Sequence, residues 1–600
     1  MTRRQASLSI LMEGAVIIDA RLVEHNSVLR SQVCIVGGGA AGITLARSLA
    51  AIGIDVCLLE SGDRAVSWQA QDLYRARNVG TRYYALDMCQ LRCLGGSTNA
   101  WGGWCRPLEP AELEPRPWAG LDGWPIPYRA LARYYPRAAA VCQFDPLDYD
   151  PARWLPALAR PGMQPLALDP ATFRTTMYAF SPPTRFGRVY EEELGRARTL
   201  RCLLNANAVR IATDAAGGTA SHVEVATFAG TRFRVVAEFI VLASGGVENA
   251  RLLLNSDDVV APGLGNQHDL VGRHFMEHPH TRRRMARLGP AKGLELYDGL
   301  RVLRALALGG DGVQQGGALA RIALTEAAQQ REGLLGYSAN INTILLAHDT
   351  AGWDALRTLV LSLSDPKRQT DPFLRFPPFR RKGITAHDLW MAVRHGPELA
   401  AAAISELLPL DRLQVGFELE SKSEQAPNPA SRITLTGERD AFGMRRVQLD
   451  WRLLPLDRHT VLRAEELLGA ELRRLGIGAL APLPAESERW PDNLVGGWHQ
   501  LGTTRMAADP RRGVVNADCR VHGVRNLYAV GGSVFPTVGV APPTLTIVAL
   551  ALRLAEHLAD RLEARVAPVT VARERAAAAT REIVASAPAA DIAASPPAPV

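Results

Sequence analysis

Short apolar runs that stop at glycine recur along this 600-residue chain and alternate with stretches of helical period. Val33-Cys-Ile-Val ends at Gly37 and leads into a helix expected over Ile43 to Ile52, then into the apolar strand Val56 to Leu59. Arg201 to Ile211 and Ser221 to Val236 alternate as half-buried strands do, and Phe239 to Ala243 is a buried strand ending in Gly245-Gly246 before a helix over Glu248 to Asn255. Between about 280 and 485 the pattern changes: Arg301 to Leu346 and Leu413 to Trp451 are strand-rich, and Ile384 to Leu408 and Pro455 to Leu475 are helical. The fold class expected is α/β: a discontinuous Rossmann-like dinucleotide domain (28–280 and 486–563) with an antiparallel sheet and flanking helices (281–485) laid over it. An Ala/Pro-rich tail, 564–600, carries a helix over Arg573 to Ala585 at most and is expected to be disordered beyond Ser586.

The first strand-turn-helix unit is a cradle for a dinucleotide. Gly37 permits the tight bend, Gly39 admits a pyrophosphate against the backbone, and Gly42 lets the helix pack on the sheet. Glu60, 23 residues after Gly37 at the end of the second strand, can accept from ribose hydroxyls. The cradle alone leaves FAD and NAD both open. A glycine-rich loop, Leu91 to Gly103, is too long for a hairpin turn and suits wrapping a cofactor.

Composition narrows the classes. The chain is +7, but only four of its 68 basic residues are lysine (Lys292, Lys367, Lys382, Lys422), which points to a GC-rich, bacterial coding bias. The clusters Arg282 to Arg284 and Arg380 to Lys382 are short, so no nucleic-acid partner is expected. Eight cysteines show no metal-type pair and read as reduced thiols, with no metal site. Ser7 to Val16 is interrupted by Glu13 and followed by no cleavage site, and no run of about 18 apolar residues occurs, so a cytoplasmic protein without a transmembrane segment is expected. The segment 365–382 interleaves aromatic and basic residues and reads as a Pro-rich loop, with a lid or contact surface as the alternative.

Near the C-terminus stand Trp498-His499-Gln-Leu-Gly502-Thr503-Thr-Arg505-Met and Asn526 to Thr537, leading into Pro542-Pro543-Thr544-Leu-Thr546. With Val33 to Gly62, Gly95 to Gly103, Val241 to Leu254 and Val271 to His278, these stretches resemble the glucose-methanol-choline (GMC) oxidoreductases, nearer the sugar-oxidising branch, across nearly the whole chain. The resemblance implies non-covalent FAD and oxidation of a hydroxyl of a sugar, glycoside or other alcohol by hydride transfer to flavin N5, with His499 as general base. Histidine suits that role because its ordinary pKa is about 6.5. It implies further that Gly95, Gly96, Ser97 and Thr98 line the pyrophosphate and flavin edge, that Asn99 and Trp101 reach the isoalloxazine, and that Val209 addresses the adenine through its backbone. Gly532 and Ser533 face the ribityl and phosphate groups, and Thr544 opens a helix whose amides stabilise charge on the flavin. Ala40, Ala41, Ser61, Ser244 and Pro543 complete the cofactor positions. The partners implied are a small alcohol or sugar and a separate electron acceptor: oxygen, a quinone or a redox protein.

Two departures stand out. Pro542 occupies the place of a second histidine or asparagine and offers no side-chain donor or acceptor, so either His499 works without that partner or a residue of the substrate segment replaces it. Ala100 stands where pyranose oxidases carry a histidine bonded covalently to FAD. His278, His280 and His522 read as packing or surface residues. A lyase or decarboxylase on the same scaffold, and a NAD-linked dehydrogenase or a nucleotide-binding module without chemistry, are the alternatives.

Overall fold

The structure, a computed structural model, describes residues 17–144, 149–152, 165–182, 184–288, 294–299, 318–345, 386–397, 399–400, 414–481, 490–491 and 493–562. The segment 365–382, the stretch Ser7 to Val16 and the tail 564–600 lie outside the described residues.

An eight-stranded sheet carries the nucleotide cradle. Its spatial order is β1 (Ile17–Asp19), β7 (Leu200–Leu204), β3 (Val56–Leu59), β2 (Val28–Val36), β10 (Arg232–Leu242), β9 (Ala220–Ala226) and β8 (Asn207–Thr213), with β18 (Leu527–Ala529) also paired to β10. Neighbours from β1 to β10, and β18, run parallel, whereas β9 and β8 return antiparallel. The composition of β10 follows its surroundings. Arg232 and Arg234 lie outward where β9 is the neighbour, and Phe239 to Leu242 are buried without alternation between β2 and β18. The order of strand connection reverses at β2, since β3 lies on one side and β10 on the other, so the crevice at the end of β2 is the switch point where such sheets bind ligands.

Helix α1 (Ala40–Ala50) begins three residues before the expected Ile43 because Gly39 already takes the extended cap conformation, φ −86° and ψ −165°. Helix α2 (Gly245–Asn255) likewise absorbs the glycine pair expected to precede it. The reason is tertiary: a methyl group on Gly246 would stand 2.1 Å from the Gln500 carbonyl oxygen.

A second, seven-stranded sheet runs β17 (Gly478–Leu480), β11 (His280–Arg287), β14 (Gln414–Ser423), β13 (Tyr337–Leu345), β12 (Ala318–Leu324), β6 (Phe173–Phe180) and β5 (Trp104–Cys105), antiparallel throughout. It crosses the division expected at residue 281, because β5 and β6 come from the N-terminal part. Alternation alone cannot assign a strand to one sheet or another, as pairing is decided in three dimensions. The sheet has two unlike faces. Thr281, Arg283 and Ser421 hydrogen-bond to Glu465 of α3 (Pro455–Arg474), which covers one face. The other face carries Trp104, Thr176, Tyr178, Arg321, Ser338, Lys422 and His280 by register and turns toward the loops of residues 495–501 and 537–542. A third sheet, β15 (Arg432–Arg439), β16 (Arg445–Asp450) and β4 (Arg77–Asn78), closes the side near α2. The last helix, α4 (Thr544–Arg561), is buried along Leu545 to Ala559 within the same core as α1.

Buried ion pairs tie the halves together. Arg116 binds both carboxylate oxygens of Glu424 at 2.6 and 2.5 Å, with side chains 3% and 0% exposed. Removing one member of such a pair strands the other, at a cost of about 3–5 kcal/mol. Arg116→Ala should therefore lower the melting temperature of the holoprotein by several degrees, and Arg116→Lys, which keeps the charge without the two-pronged bond, should fall between the two. Equal melting curves for Arg116→Ala and the parent would refute this account.

Candidate active site

Glycines bring three backbone segments to one place at the end of β2. Gly37 has φ +109°, and a methyl group there would meet the Ala243 carbonyl oxygen at 2.7 Å. One on Gly42 would stand 1.8 Å from the Gly37 oxygen. Over Gly39, by contrast, no atom of the described residues beyond its chain neighbours lies within 4 Å of where a methyl would stand, so that backbone face is open to a pyrophosphate. The glycine loop docks on the cradle through Gly95 N to Gly38 O, 2.8 Å, with Gly95 and Gly96 at φ +91° and +52°. Gly531, φ +107°, lies against Ala41, and Gly532 accepts from Gly502 N at 3.0 Å. The first amides of α1 and α4 have no intrahelical acceptor. These groups fit a dinucleotide's pyrophosphate and a flavin edge.

Each expected cofactor residue has a definite place. Glu60 is 5% exposed and accepts from the amides of Gly38 at 2.9 Å and Gly62 at 2.7 Å. It thus pins the cradle, and burial pushes its carboxyl above the usual range. Ser61 accepts from Arg92, and Arg92 pairs with half-buried Glu248 at 2.6 Å. Ser244 donates to Val36 O at 2.9 Å. Ser533 accepts from Asn249 at 2.9 Å, and its carbonyl accepts from Thr504 N at 2.8 Å. Ser97 and Thr98 bond within their own loop, at Leu91 N and Gly95 O. The Asn99 amide nitrogen donates to Leu94 O and Gly96 O, and the Trp101 indole to Thr184 O at 2.9 Å, so these donors hold the loop in shape. Val209 is the extra residue of a β-bulge between Ala208 and Arg210, which takes its backbone out of the ladder.

His499 lies on a loop clamped at both ends. Met276 and Leu501 exchange two backbone bonds of 3.0 Å, and His280 and Val495 exchange two of 2.9 and 3.1 Å. Between them Trp498 has φ +61°, which is rare for a bulky side chain and must be held by its surroundings. Glu277 holds it. Fully buried, it accepts from Gly497 N at 2.9 Å, His278 N at 3.1 Å, the His499 amide and the Tyr83 hydroxyl. Burial pushes its carboxyl up to about 7 while these donors pull it down.

The sequence reading missed His278. Its Nδ1 lies 2.8 Å from His499 Nδ1, and its Nε2 lies 3.0 Å from the Gly539 carbonyl oxygen, in the loop that carries Pro542. A carbonyl only accepts, so His278 Nε2 bears a proton. Burial holds His278 well below the ordinary histidine range, hence neutral, and its Nδ1 is then an acceptor. His499 then donates from Nδ1, and in its neutral form Nε2 is the lone-pair nitrogen. The available signal was the run Glu277-His278-Pro-His280, but a histidine reads alike whether it packs or orients a neighbour. His522, on Ala507 O at 3.0 Å, stands outside this cluster.

Residues 427–551 match the GMC oxidoreductase family, and residues 30–79 match an FAD binding domain. C-glycoside 3-oxidase of Microbacterium trichothecenolyticum is 39% identical over 22% of this chain, which spans about a quarter (24%) of that relative. 2-Methyl-1,2-propanediol dehydrogenase of Mycolicibacterium austroafricanum is 23% identical over 78% of this chain and 81% of its own, and 6'''-hydroxyparomomycin C oxidase of Streptomyces lividus is 26% identical over 89% and 92%. A solved structure of formate oxidase shares the fold, with TM-score 0.52 and 16% identity, over 90% of this chain and 99% of that one. The protein is a flavin-dependent oxidoreductase with an FAD-binding domain, and its C-terminal part is similar to the GMC oxidoreductases. Among the described residues no helix is long and apolar enough to cross a membrane.

Gly42→Ala, which would drive a methyl group into the Gly37 carbonyl, should leave the purified protein with well under half the parental ratio of flavin to protein absorbance. A full flavin complement in that variant would contradict the cradle described.

Proposed function

We propose that the protein oxidises a hydroxyl of a sugar, glycoside or other alcohol, with His499 as the base and His278 as the residue that orients it. The observation that carries this reading is the chain Gly539 O, His278, His499, which leaves Nε2 of a neutral, half-buried His499 able to accept a proton. The names of the relatives, a C-glycoside 3-oxidase and a hydroxyparomomycin oxidase among them, support the substrate class. Bound FAD would supply the acceptor for the two electrons of the carbinol. His499 Nε2 would take the hydroxyl proton, and the Nδ1–H bond to His278 would stabilise the imidazolium so formed. Glu277 would keep the ring in place through the amides of residues 497 and 499. His278 also supplies a partner for His499 in a chain that has Pro542 at the usual second position, and through Gly539 it ties His499 to the Pro542 loop.

Ala100 has no group able to bond the flavin, which supports non-covalent FAD. Gly39, Gly96 and the N-terminus of α4, opened by Pro543 and Thr544, would cradle the pyrophosphate and the flavin edge. The electrons would leave to a separate acceptor: oxygen, a quinone or a redox protein.

Anaerobic flavin bleaching by a panel of sugars, polyols and alcohols tests the reading. His499→Ala should slow flavin reduction about 10²–10⁴-fold with FAD retained, the usual worth of a general base. His278→Leu should slow it at least about tenfold. His278→Asn, whose amide oxygen can accept from His499 Nδ1–H, should keep more of the rate than the leucine variant. Parental rates in His499→Ala would place the base elsewhere, and equal rates for the two His278 variants would deny the orienting role. Acid precipitation should release the flavin intact into the supernatant; yellow precipitate would show a covalent link.

A further inference from the structure

The inner face of the seven-stranded sheet keeps more hydrogen-bond donors than it can satisfy. Lys422 on β14 is 3% exposed, and its ammonium has neither a hydrogen-bond nor an ion-pair partner among the described residues. Arg321 on β12 is 4% exposed; among the described residues its Nε has no partner, and its Nη2 donates to Ser338 O at 3.4 Å. Its guanidinium lies 5.8 Å from the Trp104 ring centroid, and the Trp104 indole N–H is buried without an acceptor as well. The register sets these groups around one strand: Lys422 stands directly across from Ser338 of β13, and Arg321 stands on that strand's other side. Buried polar groups are nearly always paired, so several orphan donors on one face mark a place where a guest supplies acceptors.

The face also adjoins the proposed base. Lys422 pairs across the ladder with His280, whose Nε2 is a further buried atom without a partner. A methyl group placed on Gly497 would lie 3.1 Å from that nitrogen and 3.0 Å from His499 Nδ1, so both rings flank one point. The carboxylate on this face, Glu420, is already engaged by Asn342 at 2.9 Å, with His280 3.6 Å away. Burial beside Arg321 pushes the Lys422 ammonium well below its ordinary range, against the pull of the buried Glu277 and Glu112 and of Glu420. A buried amino group without a direct hydrogen bond is costly, and a carboxylate brought by the substrate would draw it into the charged form with charge-assisted bonds.

Building on the reading of His499 as the base, we propose that Lys422 and Arg321 form a carboxylate subsite, and that the substrates are sugar acids: uronates, aldonates or glycosides bearing them. Cationic aminosugars are disfavoured by the same two charges. Lys422 and Arg321 are specificity-determining residues that touch the anionic end while His499 addresses the hydroxyl.

The test uses the holoprotein and matched pairs of uronates and their neutral methyl esters, with glucuronate, galacturonate and mannuronate as the acids. Flavin reduction in the parent should favour at least one acid over its ester at least tenfold in kcat/KM. Lys422→Met should lower that ratio at least tenfold, mainly through KM, and Lys422→Arg should restore most of it. No acid preference in any pair, or equal losses for acid and ester in Lys422→Met, would overturn the proposal. A second readout separates it from the oxidation reading. Titration of acetate, glucuronate and inorganic phosphate against the flavin absorbance spectrum needs no turnover. A carboxylate that perturbs the spectrum, with a Kd raised at least tenfold in Lys422→Met, upholds the subsite even if no alcohol bleaches the flavin. Phosphate binding more tightly than either carboxylate, or a carboxylate Kd indifferent to Lys422, overturns it.

Discussion

The geometry of the site depends on one buried carboxylate. Glu277 accepts hydrogen bonds from the backbone on both sides of the clamp, at His278 and at Gly497, and from Tyr83 in the N-terminal part of the chain. Those bonds hold Trp498 at a positive φ that an indole-bearing residue does not choose by itself, and that backbone twist sets where His499 points. The two glycines before it leave room for the neighbouring rings. A methyl group on Gly496 would lie 2.8 Å from the Tyr83 ring, and one on Gly497 would lie 3.0 Å from His499.

A second layer of buried acids holds the opposite wall. Glu112 accepts from Val540 N at 2.8 Å, and Glu424, locked to Arg116, accepts from Gly539 N at 3.2 Å. The loop before α4 is thus suspended from carboxylates, and its Gly539 oxygen meets His278. Burying these acids is expensive, and burial pushes Glu112 up to about 7. The expense accompanies a rigid loop in place of a flexible one. Pro542 has no side-chain donor, and His499 finds its ring partner in His278 instead.

The cofactor cradle and the substrate face are built on contrasting rules. The cradle uses glycine so that backbone can meet backbone at Gly37, Gly42, Gly95 and Gly246, and its polar groups are main-chain amides. The sheet face uses long charged side chains whose hydrogen-bonding capacity the protein leaves partly unfilled, at Lys422 and Arg321. The first arrangement suits a fixed cofactor shared across a family, and the second suits a ligand peculiar to one enzyme.

Much of the fold was legible in the sequence because it rests on local rules. An apolar run, a glycine and a helical period describe the β2 turn and α1 without any distant contact, and the His499 stretch was readable from residue types close together in the chain. Membership of β5 and β6 in the second sheet was not legible, because strand pairing joins residues 104 and 180, and 176 and 321, through space. Neither was the part of His278, since a neutral imidazole becomes an orienting group only when a carbonyl 261 residues away fixes its tautomer and a second ring 221 residues away accepts the consequence. Lys422 followed the same logic. The sequence by itself determined which segments form strands, helices and the glycine cradle; tertiary structure alone decided which charges are buried together, because desolvation and hydrogen-bond satisfaction depend on neighbours that chain order does not reveal.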